Sequence, residues 1–199
     1  MFVTFEGLDG SGKSTQAELL RRRLEAEGRE VVATREPGGT VLGEGIRELL
    51  LGGTEAMSAW SEAALFLAAR AQLVDEVIRP ALERGAHVVC DRYVDSSLAY
   101  QGLARGLGVE RVLELNLEAT GGLLPDVTFV LLVDPDVARR RMGDERDRIE
   151  REDDGFRARV DAAYRELATR FPERVIALDG DRPAEEIAAE IDGRVRALA

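Results

Sequence analysis

The sequence predicts an α/β fold of three layers, a five-stranded parallel sheet with helices on both faces. Three observations carry this. Short apolar, β-rich runs alternate with stretches whose apolar residues recur at helical spacing. The run at 127–133 is apolar almost throughout, as in a parallel strand covered on both sides. A glycine loop, Arg35-Glu36, Asp91-Arg92 and Asp134 all fall at carboxyl ends of predicted strands, where such sheets bind ligands.

Taken in order, Met1-Phe2-Val3-Thr4-Phe5 reads as a buried strand, and a helix begins near Ser14 with Leu19, Leu20 and Leu24 inward. Gly28 suits a left-handed cap. Val31-Val32-Ala33 is a second strand, followed by a turn at Pro37-Gly38-Gly39. A short helix buries Ile46, Leu49 and Leu50 and closes at Gly52-Gly53. The longest helical pattern runs over 58–79, bounded by Pro80. The third strand spans 86–90, and helices are expected over 95–103 and 109–119. After the fourth strand, Asp136 is placed to cap a helix leading into the arginine-dense stretch 139–151. Phe156, Val160, Ala163, Leu167 and Phe171 mark the next helix, 175–178 the fifth strand, and Ile187, Ile191, Val195 and Leu198 the buried side of the last helix. The chain reads as one domain over 1–199 with a mobile lid at about 139–151.

Composition narrows the function. With 199 residues and 45% hydrophobic content the chain can bury a substantial core. A net charge of −11 argues against a general nucleic-acid or anionic-membrane binder, so phosphate binding requires locally gathered arginines. No apolar run approaches membrane-spanning length, no export signal is read at the N-terminus, and the single Cys90 suits a reducing compartment, so a cytoplasmic location is expected.

Gly7-Leu8-Asp9-Gly10-Ser11-Gly12-Lys13-Ser14, with Thr15 behind it, matches G-x-x-x-x-G-K-[ST] between a strand and a helix. Backbone N–H groups converge there on a positive helix end, a nest for a triphosphate, so ATP with Mg2+ is expected. Lys13 is the only lysine in the chain; every other basic residue is arginine. A compact ammonium reaches phosphate oxygens where a planar guanidinium fits badly. Ser14 and Asp91 are the expected metal donors, and Asp9 faces either the metal or the second substrate's sugar. Positions 8–11 hold no basic residue, so transition-state charge must come from elsewhere; 139–151 is the candidate, against its alternative as a solvated charged helix. Phe66 with Arg70, and Ser97 with Tyr100 and Gln101, share helix faces and offer a stacking ring and base-edge partners.

The chain resembles the bacterial thymidylate kinases over nearly its whole length. The likeness rests on the loop, on Arg35-Glu36-Pro37-Gly38-Gly39-Thr40, Gly45-Ile46-Arg47 and Leu65-Phe66-Leu67-Ala68-Ala69-Arg70. It continues through Asp91-Arg92-Tyr93, Ala99-Tyr100-Gln101-Gly102 and Asp147-Arg148-Ile149-Glu150. The resemblance implies a P-loop NTPase fold and γ-phosphoryl transfer from MgATP to dTMP, with a homodimer as the working unit. It implies that Phe66 stacks on thymine, Arg70 reaches a base carbonyl, and Ser97 and Gln101 read the remaining edge. It further implies that Arg47 and Arg92 hold the monophosphate, that Glu36 and Asp9 lie at sugar or metal, and that Tyr100 crowds the 2′ position. Arg148, with Arg141 next, is the expected transition-state arginine. The alternatives are a kinase for another nucleoside monophosphate or, more remotely, a P-loop switch ATPase.

Overall fold

The structure, a computed structural model, describes residues 1–52, 56–142 and 147–198. The strands β1 (Phe2–Gly7), β2 (Val31–Arg35), β3 (His87–Asp91), β4 (Val127–Leu132) and β5 (Val175–Asp179) pair in parallel in the order β2-β3-β1-β4-β5. β1 lies between β3 and β4, with Phe5 opposite Asp91 and Gly7 opposite Leu131. In that register β1 runs two residues past the end of β3, so the loop after Gly7 begins just beyond Asp91.

Strand alternation divides the core into two layers. Val3, Phe5, Phe129 and Leu131 pack against Leu20 and Leu24 of α1 (Lys13–Ala26) and Ile187, Ile191 and Val195 of α9 (Ala184–Leu198). Phe2, Val88, Cys90 and Val130 face the other way, toward Leu73, Leu98, Val112, Phe156 and Val160. These come from α3 (Ala59–Leu73), the turn after α5 (Val94–Ser97), α6 (Val109–Ala119) and α8 (Asp154–Arg170). The expected fold class is therefore met.

Several local expectations are corrected. In α2 (Val41–Leu51), Ile46 and Leu50 are buried, but Leu49 is 62% exposed, because the neighbouring helix position turns away from the core. Gly53 lies outside the described residues. Pro80 does not end the long helix. After α3 a π-helical turn, Val74–Ile78, leads directly into α4 (Arg79–Glu83), and Pro80 falls in its first turn. A missing N–H costs little there. The cap of α7 (Pro135–Arg141) is Asp134, whose side chain accepts from the N–H groups of Asp136 and Val137; Asp136 sits inside the first turn. α8 stops at Arg170, leaving Phe171 at its C-terminal cap, and Leu198 is 52% exposed in the last turn of α9. Of the stretch 139–151, residues 143–146 lie outside the described residues. From Asp147 the chain packs against α2, where the Arg148 N–H donates to the Leu51 carbonyl at 3.1 Å.

Candidate active site

The loop after β1 curls tightly because its glycines permit left-handed backbone. Gly10 has φ +82°, and a Cβ there would stand 2.2 Å from the Ala138 carbonyl oxygen of α7. Lys13 is buried at the start of α1; its Nζ donates to the Leu8 carbonyl at 2.8 Å and lies 3.5 Å from Asp9. Burial first, and then the Arg92 charge, push its pKa down. Ser14 Oγ donates to Asp91 Oδ2 at 2.5 Å. Asp91 is not a helix cap, since α5 starts only at Val94.

A chain of charges leads away from the loop. Arg92 Nη2 donates to Asp9 Oδ1 at 2.5 Å. Burial alone would raise the Asp9 pKa, but Arg92 and Lys13 hold the carboxyl well below the usual range. Arg92 has φ +72°, a conformation that costs a non-glycine residue roughly 1–3 kcal/mol and concentrates at functional sites. Its Nη1 donates to Ser96 Oγ at 3.2 Å and Tyr164 Oη at 3.3 Å, and its guanidinium lies over the Tyr100 ring at 5.5 Å.

Beneath Arg92 sits Glu6, a carboxylate that an apolar strand holds fully buried. Oε1 accepts from the Tyr93 and Ser96 N–H groups at 2.8 and 3.0 Å; Oε2 accepts from Ser96 Oγ and Tyr164 Oη at 2.5 and 2.8 Å. Burial pushes its pKa from 4.5 up to about 7, with Arg92 opposing. The folded state thus binds more protons than the unfolded chain between those values. Glu6's contribution is complete below 4.5 and is lost as pH rises through about 7. The loss amounts to ~3 kcal/mol at most, or several degrees in Tm. Glu6→Gln is expected to flatten this part of the Tm–pH curve between pH 5 and pH 8, measured by thermal unfolding. An unchanged slope would assign the titration to another group.

Loop and strand ends open into a cleft of about 760 Å³. Asp9, Ser11, Lys13 and Ser14 line one end; Glu36, Arg47, Phe66, Ser97, Tyr100 and Gln101 line the other. Arg47 is anchored by donating to the Pro37 carbonyl at 2.9 Å. The π-helical turn Leu98–Ala104 follows α5 and carries Tyr100 and Gln101 into the cleft beside Ser97.

Not every expected residue reaches this cleft. Gly7 and Leu8 lie beneath the loop, with Leu8 in the core. Arg70 is fully buried and outside the lining. Every N–H of its guanidinium has an internal partner: Glu36, Ser97 Oγ, Asn116 Oδ1 or the Tyr93 carbonyl. It stands behind the wall that Glu36 and Ser97 form, not at a free edge. Arg148 also departs from expectation. Its Nε donates to the Leu50 carbonyl at 2.7 Å and its Nη2 to Glu62 at 2.7 Å, because the last carbonyls of α2 and a buried carboxylate attract it. Arg141 does line the cleft, donating to the Gly180 carbonyl at 3.2 Å. Trp60 is 39% exposed, with the Arg111 guanidinium over its ring at 4.6 Å. Sequence reasoning missed Arg182, which lines the cleft from the turn after β5. The available signal was its place at a strand's carboxyl end, like the residues that were found.

The chain as a whole is similar to known proteins. The family model for thymidylate kinase matches residues 5–191. The chain is 54% identical over 202 residues to a thymidylate kinase of Leifsonia xyli subsp. xyli, covering 98% of this chain and 96% of that one. It is 48% identical over 203 residues to one of Bifidobacterium longum (strain NCC 2705), covering 100% and 98%. Its structure is similar to the crystal structure of thymidylate kinase from Ehrlichia chaffeensis, with TM-score 0.79 and 33% identity over 100% of this chain and 98% of that one. The family model and these relatives thus match this chain over nearly its whole length. This chain belongs to the thymidylate kinase family.

Proposed function

We propose that this chain transfers the γ-phosphoryl group of MgATP to the 5′-phosphate of dTMP, giving dTDP and ADP. One observation carries the reading: a single cleft joins the Lys13 loop to the wall of Phe66, Ser97 and Gln101 through the contact between Asp9 and Arg92. The bond from the γ-phosphorus to the β,γ-bridging oxygen breaks as an oxygen of the acceptor phosphate forms its bond. The acceptor is already an anion, so no strong base is needed, and catalysis is positional and electrostatic.

Ser14 and Asp91 suit magnesium. They present hard oxygen donors that converge to 2.5 Å, and magnesium takes its other ligands from water and phosphates. When bound, the ion neutralises phosphate charge and orients the transferring group. Lys13 binds the donor's phosphate oxygens, assisted by the backbone of 9–15. Arg47 and Arg92 hold the acceptor phosphate, and Asp9 fixes Arg92 while facing the sugar or metal. Phe66 stacks on the base, Ser97 and Gln101 read its edge, Arg70 supports that wall through Glu36 and Ser97, and Tyr100 occupies the space at the 2′ position. Arg141 is better situated than Arg148 to meet the donor, unless Arg148 leaves Glu62 when the stretch 139–151 closes as a lid over the phosphates. A homodimer working in the cytoplasm completes the reading. The exposed Leu42, Leu49, Trp60 and Leu115 of α2, α3 and α6 support such an interface, and no helix among the described residues is long and apolar enough to cross a membrane.

The test is ADP release from ATP with a panel of nucleoside monophosphates. dTMP is expected to give the highest kcat/KM. Preference for AMP, GMP or CMP would overturn the assignment, and hydrolysis independent of any acceptor would favour a switch ATPase. Phe66→Ala should raise KM for dTMP about fivefold or more, as loss of a stacking face worth ~1–3 kcal/mol implies, with KM for ATP unchanged. Unaltered kinetics would remove Phe66 from the base site.

A further inference from the structure

Glu62, in the first turn of α3, is only 1% exposed and lies outside the lining of the cleft. Its Oε1 accepts from Gln101 Nε2 at 2.9 Å and Arg105 Nε at 3.3 Å. Its Oε2 accepts from Arg148 Nη2 at 2.7 Å and Arg105 Nη2 at 3.1 Å. Burial alone would raise its pKa, but the bonds from Arg105, Gln101 and Arg148 hold it below the usual value. An ionised carboxylate accepts and never donates. Of the two ends of the Gln101 amide, only the nitrogen can therefore face Glu62. The oxygen must point away from it. Gln101 is itself 1% exposed and lines the cleft beside Phe66 and Ser97, so it has little room to turn over.

An oxygen held in that way can only accept from a base. The pairing edge of thymine carries one N–H, at N3, between two carbonyls, whereas N3 of cytosine is bare and accepts. We propose that Glu62 is a positioning residue that sets base selection: it locks Gln101 with its amide oxygen toward the acceptor, admitting a pyrimidine with an N3–H and rejecting one without. The inference rests on the reading of Phe66, Ser97 and Gln101 as the base pocket.

The experiment compares kcat/KM for dTMP and dCMP at fixed ATP in the wild type, E62Q, E62D and R105A. The amide of E62Q can present either end, so Gln101 is no longer constrained. The dTMP-to-dCMP ratio should fall about tenfold or more, through KM for the monophosphate and with KM for ATP unchanged. E62D keeps an acceptor-only group, and R105A keeps the carboxylate itself, so both should hold the ratio within about threefold. A ratio in E62Q within about twofold of wild type, or an equal loss in R105A, overturns the proposal. Should E62Q fail to fold, N3-methyl-dTMP decides. It should bind the wild type about tenfold or more weaker than dTMP, with the difference lost in Q101L; equal binding overturns the proposal. A wild type that prefers another monophosphate would instead overturn the assignment of activity, whereas a dTMP-selective wild type with an indifferent E62Q defeats only the role of Glu62.

Discussion

Lys13→Ala is expected to abolish phosphoryl transfer, lowering kcat by about a thousandfold or more, the scale on which a removed electrostatic stabiliser acts in a closed site. The loss should be this large because no other lysine exists in the chain and no basic residue occupies positions 8–11 of the loop. Lys13 is buried, fixed by the Leu8 carbonyl, and aligned at the end of the cleft where α1 begins. Arginine should not replace it. A planar guanidinium is larger than the space that a buried ammonium fills between Leu8 and Asp9. Steady-state ADP release, with folding checked by thermal unfolding, measures the effect. Lys13→Ala within about tenfold of the wild-type kcat would place the donor phosphates elsewhere.

The second large effect is on stability. Arg70→Met should destabilise the protein by about 3–5 kcal/mol, the cost of breaking a buried ion pair from one side. Arg70 and Glu36 are 0% and 3% exposed and meet at 2.6 Å, so the methionine would leave the Glu36 carboxylate buried without its cation. Ser97, Asn116 and the Tyr93 carbonyl would lose a partner as well. At ~2–4 °C per kcal/mol for a chain of this size, Tm should drop by roughly 10 °C. Glu36→Gln added to Arg70→Met should recover part of the loss, because the stranded charge is gone. A single variant within about 1 kcal/mol of wild type would show that the pair contributes little.

The two halves of the site were unequally legible. The phosphate loop is contiguous: its glycines, Lys13 and Ser14 take their geometry from one strand, one turn and one helix, so spacing alone located it. The opposite wall of the cleft is assembled from α3, α5 and the turn after it, and its residue types alone also allow ordinary packing. There the resemblance to a family identified Phe66, Ser97 and Gln101, all of which line the cleft. The arginines were harder. Arg141 and Arg148 have the same side chain and lie in one charged stretch. Only the neighbours that folding brings up, the Gly180 carbonyl for one and Glu62 for the other, separate them.

By itself the sequence determined the parallel sheet, its two apolar layers and the place of the triphosphate loop, because periodicity and glycine spacing are local properties of the chain. The tertiary structure decided which polar groups are buried together. Glu6 with Tyr164, Glu62 with Gln101 and Arg148, and Arg70 with Asn116 are pairs far apart in sequence. A buried charge requires a partner, but no local pattern states which one. That choice depends on how the helices pack over the sheet.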